Sequence, residues 1–156
     1  DRTAGPVVSA ALTLAGPDHL ARLLALVSAF HAEAGMTSTD ESRHAALAPL
    51  LDGIPHGCAY LIGPPRSPIG YIVITFTWSV EYGGLDGNID ELYIRPGVRG
   101  RGIASEALVA LPRALAGGGL RTIHLEVDSD NAAALTLYRR AGFALNEKYA
   151  FMTKHL

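Results

Sequence analysis

The stretch Asp90-Glu91-Leu92-Tyr93-Ile94-Arg95-Pro96-Gly97-Val98-Arg99-Gly100-Arg101-Gly102-Ile103-Ala104 decides the fold. Its first part, from Ile89 to Arg95, has the β-branched and aromatic content of a strand. A glycine-rich loop follows and opens directly into a helical composition from Gly102 to Ala116, closed by Gly117-Gly118-Gly119. The first N–H groups of a helix have no intrahelical partner and carry partial positive charge. Converging on one point, such groups bind anionic oxygens, phosphates above all. Gly100 and Gly102 let the backbone turn sharply there, and Arg99 and Arg101 add charge in a geometry suited to phosphate oxygens. The run lacks the Gly-Lys-Ser/Thr ending of a Walker loop and the Gly-x-Gly-x-x-Gly of a dinucleotide fold. It reads as a loop for a phosphorylated ligand of another kind.

Upstream, Val7 to Leu14 alternates as a first strand. Leu20, Leu23, Leu24, Val27 and Phe30 recur at helical spacing up to about Gly35. A second helix spans Asp40 or Glu41 to Leu51. Three strands are then expected: Cys58 to Ile62, Gly70 to Val80, and Ile89 to Arg95, with Gly83-Gly84-Leu85-Asp86-Gly87-Asn88 as the turn before the last. Downstream of the loop, Leu120 to Val127 reads as a strand and Asn131 to Ala141 as a helix closed by Gly142. Phe143 to Leu145 and Tyr149 to Lys154 are candidate final strands. Pro112 is the misfit, since an interior helix proline costs about 3 kcal/mol. The order is β-α-α-β-β-β-α-β-α-β-β, an α/β chain with a mixed, mostly antiparallel central sheet flanked by helices.

The second informative stretch is Asn131-Ala132-Ala133-Ala134-Leu135-Thr136-Leu137-Tyr138-Arg139-Arg140-Ala141-Gly142-Phe143, following the Asp128-Ser129-Asp130 turn. With both stretches in view, the chain resembles the GNAT superfamily of N-acetyltransferases. Arg99-x-x-Gly102-x-Ala104 looks like that family's acyl-CoA pyrophosphate loop, and Asn131 through Gly142-Phe143 looks like its second motif. Met152 to Leu156 is similar to its last strand. The motifs cover about Ile89 to Phe143; the segment before Cys58 matches only in the order of its elements.

With no internal repeat and no low-complexity linker the chain reads as a single domain, 1–156, and the resemblance implies acetyl-CoA as co-substrate and no metal. Backbone groups of Leu92, Tyr93 and Ile94 would pair with the pantetheine arm as an added strand does. Amides of Arg99, Gly100, Arg101, Gly102, Ile103 and Ala104 would hold the pyrophosphate, and Asn131 would hydrogen-bond the pantetheine. Tyr138 would protonate the departing CoA thiolate. A homodimer is a further implication.

Acid–base chemistry asks for one more group. A lysine-like amine, with pKa of about 10.4, is almost wholly protonated at neutral pH, and attack on a thioester needs the neutral form. Asp90 and Glu91 stand at the start of the strand before the loop, and either can supply the base. Neighbouring strand residues face opposite sides, so one of the two points into the site; Glu91 has the longer reach. His124 and Glu126 share a face of the next strand and either line the cleft or solvate its edge. His19, His31, His44, His56 and His155 have no metal-ligand spacing and read as structural or exposed. Trp78 reads first as packing and second as a wall of the acceptor pocket.

Composition narrows the function classes. The chain has 156 residues, a net charge of −2 and one cysteine, Cys58. The charge argues against bulk attraction to nucleic acid or anionic lipid. One cysteine excludes an intrachain disulfide and fits a cytoplasmic setting. No apolar run reaches the roughly 20 residues of a membrane span. Glu81, Asp86, Asp90, Glu91 and Glu126 suggest an acidic cleft for a small-molecule or peptide amine: a polyamine, an aminoglycoside or a basic peptide. The alternative is a non-catalytic acyl-CoA sensor on the same fold.

Overall fold

The computed structural model describes residues Ala10–Leu156, in two compact units: one extending to Glu126, the other Val127–Leu156. The first unit is built on five strands in spatial order β1-β2-β3-β4-β5: β1 Leu12–Leu14, β2 Gly57–Ile62, β3 Gly70–Ser79, β4 Gly84–Ile94 and β5 Leu120–Leu125. The first four run antiparallel to their neighbours and β5 runs parallel to β4, which gives the expected mixed sheet. The parallel pair requires a crossover, and α3 (Ile103–Ala114) supplies it. Two helices, α1 (Leu20–Glu33) and α2 (Asp40–Leu51), lie between β1 and β2 in sequence.

Local chemistry sets these boundaries. Thr39 caps α2 by accepting from the Ser42 N–H at 3.1 Å, while Ser42 Oγ accepts from the Thr39 N–H at 2.9 Å. Just past α1, Gly35 takes a φ of 69°, which stops the helix where the glycine was expected to. Pro112 stands in the last turn of α3 without ending it early. So near the terminus it removes one backbone bond and disturbs little else.

Alternation divides the core. Ala59, Leu61, Tyr71, Val73 and Tyr93 face α1 and α2, packing against Leu23, Leu26, Val27, Leu47 and Leu51. The alternate residues Ile62, Ile72, Ile74 and Ile94 are buried on the opposite face, left to α3 with its buried Ile103, Ala107, Leu108 and Leu111.

Strand β4 breaks this alternation once. Val73 of β3 pairs with Glu91, but Ile74 pairs with Ile89, so Asp90 is an extra residue with no opposite number. Such a bulge turns the strand by one step. Ile89 and Glu91, two residues apart, therefore face opposite sides of the sheet.

Three expectations need correction. The segment Gly84 to Asn88 is strand, not turn, and the turn is confined to the residues around Gly83, whose φ is 73°. The other two glycines serve closeness: a Cβ on Gly84 would lie 2.8 Å from Arg121 Cγ, and one on Gly87 3.0 Å from Ile74 Cδ1. The two closing strands are absent, since residues 143–156 form no ladder; an extended, alternating sequence becomes a strand only when its backbone groups find a partner. Trp78 is not packed but 73% exposed. Of the first strand, residues 7–9 lie outside the described residues.

The second unit contains α4 (Ala132–Arg140), shorter by a residue at each end than the expected helix. It ends at Gly142, with a φ of 95°, where the Phe143 N–H returns to the Tyr138 carbonyl at 3.0 Å.

Candidate active site

Strand β4 is flanked by β5 only as far as Ile89, which pairs with Leu125. From Glu91 onward no strand among the described residues pairs with that edge. The Arg95 N–H donates to the Ile69 carbonyl at 2.8 Å. By the alternation of an antiparallel ladder, this directs the peptide groups of Tyr93 toward β3 and those of Leu92 and Ile94 toward the open edge. Of the three residues expected to carry an added strand, Leu92 and Ile94 present their backbone outward, the Ile94 carbonyl already accepting from Arg99 Nε, and Tyr93 has its own satisfied by β3.

The open edge runs into the loop. Glu106 is the first α3 residue whose N–H finds a carbonyl within the turn, that of Gly102 at 3.0 Å. Among the described residues no acceptor is recorded for the N–H groups of Gly100, Arg101, Gly102, Ile103, Ala104 and Ser105. Gly100 and Gly102 adopt φ of 78° and 76°, a region that side chains rarely enter. A Cβ on either would meet nothing within 4 Å, so backbone conformation and not crowding selects glycine here. The row of six donors at a helix start, with open space before it, fits an anionic ligand such as the CoA pyrophosphate.

The two loop arginines differ. Arg99 grips Glu33 at the end of α1, donates Nε to the Ile94 carbonyl at 2.8 Å, and stacks over the Tyr93 ring at 5.5 Å. Its backbone N–H turns to the Pro96 carbonyl at 3.3 Å. Its guanidinium holds the Glu33 carboxyl below the ordinary carboxylate range, through that hydrogen bond first. Arg101 has no recorded partner among the described residues and is exposed.

Glu91 and Asp90 are separated by the bulge in environment as well as direction. The Glu91 carboxylate is largely buried; Oε1 accepts from the Tyr71 hydroxyl at 2.7 Å, and Oε2 lies 2.7 Å from His31 Nε2. Fully buried Tyr71 has its phenol pushed far up, by desolvation first and by this carboxylate second. Asp90 is exposed at its surface, yet its carboxyl is raised by desolvation, then by the charges of Glu91 and Glu126, with His31 opposing. A raised carboxyl is a stronger base than an ordinary one.

By strand register, Glu91 shares its face of the sheet with Thr75 and Thr77 of β3, Asp86 and Asn88 of β4, and Thr122 and His124 of β5. There Asp86 accepts from the Thr122 hydroxyl and pairs with His124 Nε2 at 2.9 Å, and the His124 ring lies 5.8 Å from Tyr82. This face is apolar under α1 and α2 and polar beyond them. Among the described residues no group of three or more His, Cys, Asp or Glu is placed to hold a metal.

In the second unit, Asn131 caps α4, its Oδ1 accepting from the Ala134 N–H at 3.0 Å, with its Nδ2 donors uncommitted to that bond. Tyr138 is half-buried, packs edge-on to Phe143 at 6.1 Å, and has its phenol raised by burial. Sequence reasoning missed His31 as a partner of Glu91. Its signal was the helical step from Val27, which puts His31 on the sheet-facing side of α1.

The acetyltransferase (GNAT) family model matches residues 23–143. A mycothiol acetyltransferase of Streptomyces scabiei is 35% identical over 79 residues, which cover 50% of this chain and 26% of that protein. The chain thus spans about a quarter of the length of the curated relatives it matches. An integron cassette protein from the mobile metagenome of Cole Harbour salt marsh superimposes with a TM-score of 0.80 at 30% identity, over 93% of this chain and 90% of that one. An aminoglycoside N-acetyltransferase solved with CoA shares the fold, with a TM-score of 0.76 at 16% identity, over 98% of this chain and all of the other. With the family match covering most of its length, the chain belongs to the acetyltransferase (GNAT) family.

Proposed function

We propose that this chain transfers an acetyl group from acetyl-CoA to a primary amine by direct attack. The observation that carries this reading is the junction of an open β4 edge with a row of unpartnered N–H groups at the start of α3. The backbone of Leu92 and the N–H of Ile94, whose carbonyl Arg99 already holds, take the pantetheine arm along that edge, and the amides from Gly100 to Ala104 hold the pyrophosphate. Arg101 adds screening charge, Arg99 shapes the loop, and Asn131 binds the pantetheine through its free amide hydrogens.

The amine loses its proton to a carboxylate on β4. Glu91 is the first choice, because its oxygens are fixed by two hydrogen bonds and its face turns polar beyond α1 and α2; Asp90 beside it is the second. The neutral amine attacks the thioester carbonyl, and the tetrahedral intermediate collapses with loss of the CoA thiolate. Tyr138 protonates that thiolate. An ordinary phenol, with a pKa of about 10, already holds its proton at neutral pH, and the rise that burial adds to Tyr138 makes it a weaker acid. A half-buried free thiol, Cys58, suits a reducing compartment such as the cytoplasm.

The test has two arms. Acetyl-CoA at about 100 times its dissociation constant should add ~2.7 kcal/mol to stability, whereas NAD and ATP should add nothing comparable. Release of CoA thiol is then followed with polyamines, aminoglycosides, amino acids and basic peptides as acceptors. A flat thermal titration removes the cofactor assignment; stabilisation without turnover on any amine removes the activity.

A further inference from the structure

His31 on α1 and Glu91 on β4 are joined in space at 2.7 Å, with side chains only 15% and 16% exposed. The hydrogen bonds around this contact fix where its hydrogens lie. An ionised carboxylate only accepts, so Nε2 of His31 must carry a hydrogen to meet it. On the other side of the ring, Nδ1 is 2.7 Å from Ser38 Oγ, and Arg43 Nη1 donates to that same oxygen at 2.7 Å. A guanidinium only donates, so Arg43 occupies one lone pair of Ser38, and with the ring neutral and its hydrogen on Nε2 the bare Nδ1 takes the hydroxyl hydrogen. The neutral ring is thereby held as the Nε2–H tautomer.

We infer that His31 is the positioning residue for the amine's proton acceptor: it donates Nε2–H to Glu91 Oε2 while Tyr71 holds Oε1. The kinetic half of this inference rests on the acetyl-transfer reading; the tautomer half does not. Each hydrogen bond donated to a carboxylate favours its ionised form, which is the form able to take a proton. Two donors from opposite sides also fix the plane of the carboxylate, leaving its second lone pairs for the amine or an intervening water. The step balances: the ammonium N–H bond breaks, an O–H bond forms on Glu91, and the pair of electrons left on nitrogen attacks the thioester carbon.

The groups facing the pair come from every neighbouring element. They are Ser38 and Arg43 from the α1–α2 connection and α2, Tyr71 from β3 and Asp90 from β4, with Tyr93 next to Tyr71 and Glu126 acting on Asp90. Of these, the hydrogen bonds to the pair itself come from Ser38 and Tyr71.

Nitrogen NMR of the imidazole in the full chain reads the tautomer without any substrate. The expected spectrum shows a protonated Nε2 and a bare Nδ1; an Nδ1–H tautomer, or free exchange between the two, overturns the inference. In kinetics, His31→Ala should move the acidic limb of kcat/KM for the amine up by about one pH unit, a tenfold change in proton affinity, with KM for acetyl-CoA unchanged. His31→Gln keeps an N–H near the Nε2 position and should bring the limb back. An unmoved limb in His31→Ala, or equal losses in both variants with the limb in place, reduces His31 to packing and overturns the role. The expected tautomer in a chain that acetylates no amine leaves the pair standing and removes the activity reading instead.

Discussion

Arg99 and Glu33 meet as fork and carboxylate, Nη1 to Oε1 at 2.7 Å and Nη2 to Oε2 at 2.9 Å, tying the loop before α3 to the end of α1. The pair is solvent-exposed, so its contribution to stability is small. Its importance lies in occupying a cation that a phosphate would otherwise compete for. Because Glu33 titrates below its ordinary range, the pair persists above the unfolded carboxylate value and is lost only as pH falls through the lowered one.

The two arginines should therefore separate in a binding experiment. Arg101→Ala should weaken CoA about tenfold at low salt and flatten the salt dependence, as expected for loss of a charge-assisted contact. Arg99→Ala should lower the melting temperature through lost contacts to Tyr93 and the Ile94 carbonyl while changing the salt dependence less. Calorimetry at two salt concentrations decides between them. A larger binding loss in Arg99→Ala would show that its fork swings from Glu33 to the phosphates.

Gly102 tests the loop itself. An L-residue in the left-handed region costs about 1–2 kcal/mol, and a β-branched one more. Nothing lies within 4 Å of a Cβ there, so Gly102→Val should fold. Its CoA affinity should fall at least tenfold, as the new side chain enters the approach to the six N–H donors. Unchanged affinity in a folded variant would take the loop out of the site.

Tyr71→Phe removes a donor from a largely buried carboxylate and keeps the ring. Loss of a hydrogen bond to a charged group should cost about 1.5–3 kcal/mol in denaturant unfolding at neutral pH. The pH dependence has a defined sign. A phenol raised in the folded state stabilises below the unfolded tyrosine value of about 10, and that contribution is lost as pH rises beyond it. The wild type should therefore lose more stability than Tyr71→Phe between about pH 9 and 11. Parallel alkaline profiles would mean that Tyr71 ionises freely when folded.

Tyr138→Phe tests the acid. Its ring contact with Phe143 survives the change, so folding and CoA affinity should hold. A thiol pKa of about 8.5 makes the thiolate a tolerable leaving group unaided, so turnover should drop about tenfold to a hundredfold, the low end for positioned proton transfer. Steady-state kinetics alongside CoA affinity checks this. Wild-type turnover excludes the role, and a lost fold makes Tyr138 a packing residue.

Most of the first unit was legible because its signals are local. The Leu20–Phe30 spacing, Gly35 and the strand composition of Gly70 to Ser79 are each read within a few residues. The donor row was legible for the same reason, since glycines between a strand and a helix expose backbone N–H groups wherever they occur. What escaped depends on distant partners. Gly84 and Gly87 read as turn formers because only the neighbouring strand reveals what their missing side chains make room for. His31 read as an isolated histidine because its partner lies 60 positions away. Phe143 to Leu145 and Tyr149 to Lys154 read as strands because alternation in a sequence does not say whether a ladder awaits it.

The extra residue in β4 gives a length of one strand two loyalties. Before Asp90 the even-numbered residues, Asp86 and Asn88, share the face of α1; after it the odd-numbered ones, Glu91 and Tyr93, do. Drawing Asp90 into the ladder opposite Val73 would put Glu91 opposite Ile72, among aliphatic side chains, and send each residue after it to the other face. The reading frame of the sheet, more than the identity of any one side chain, is what keeps base and core apart.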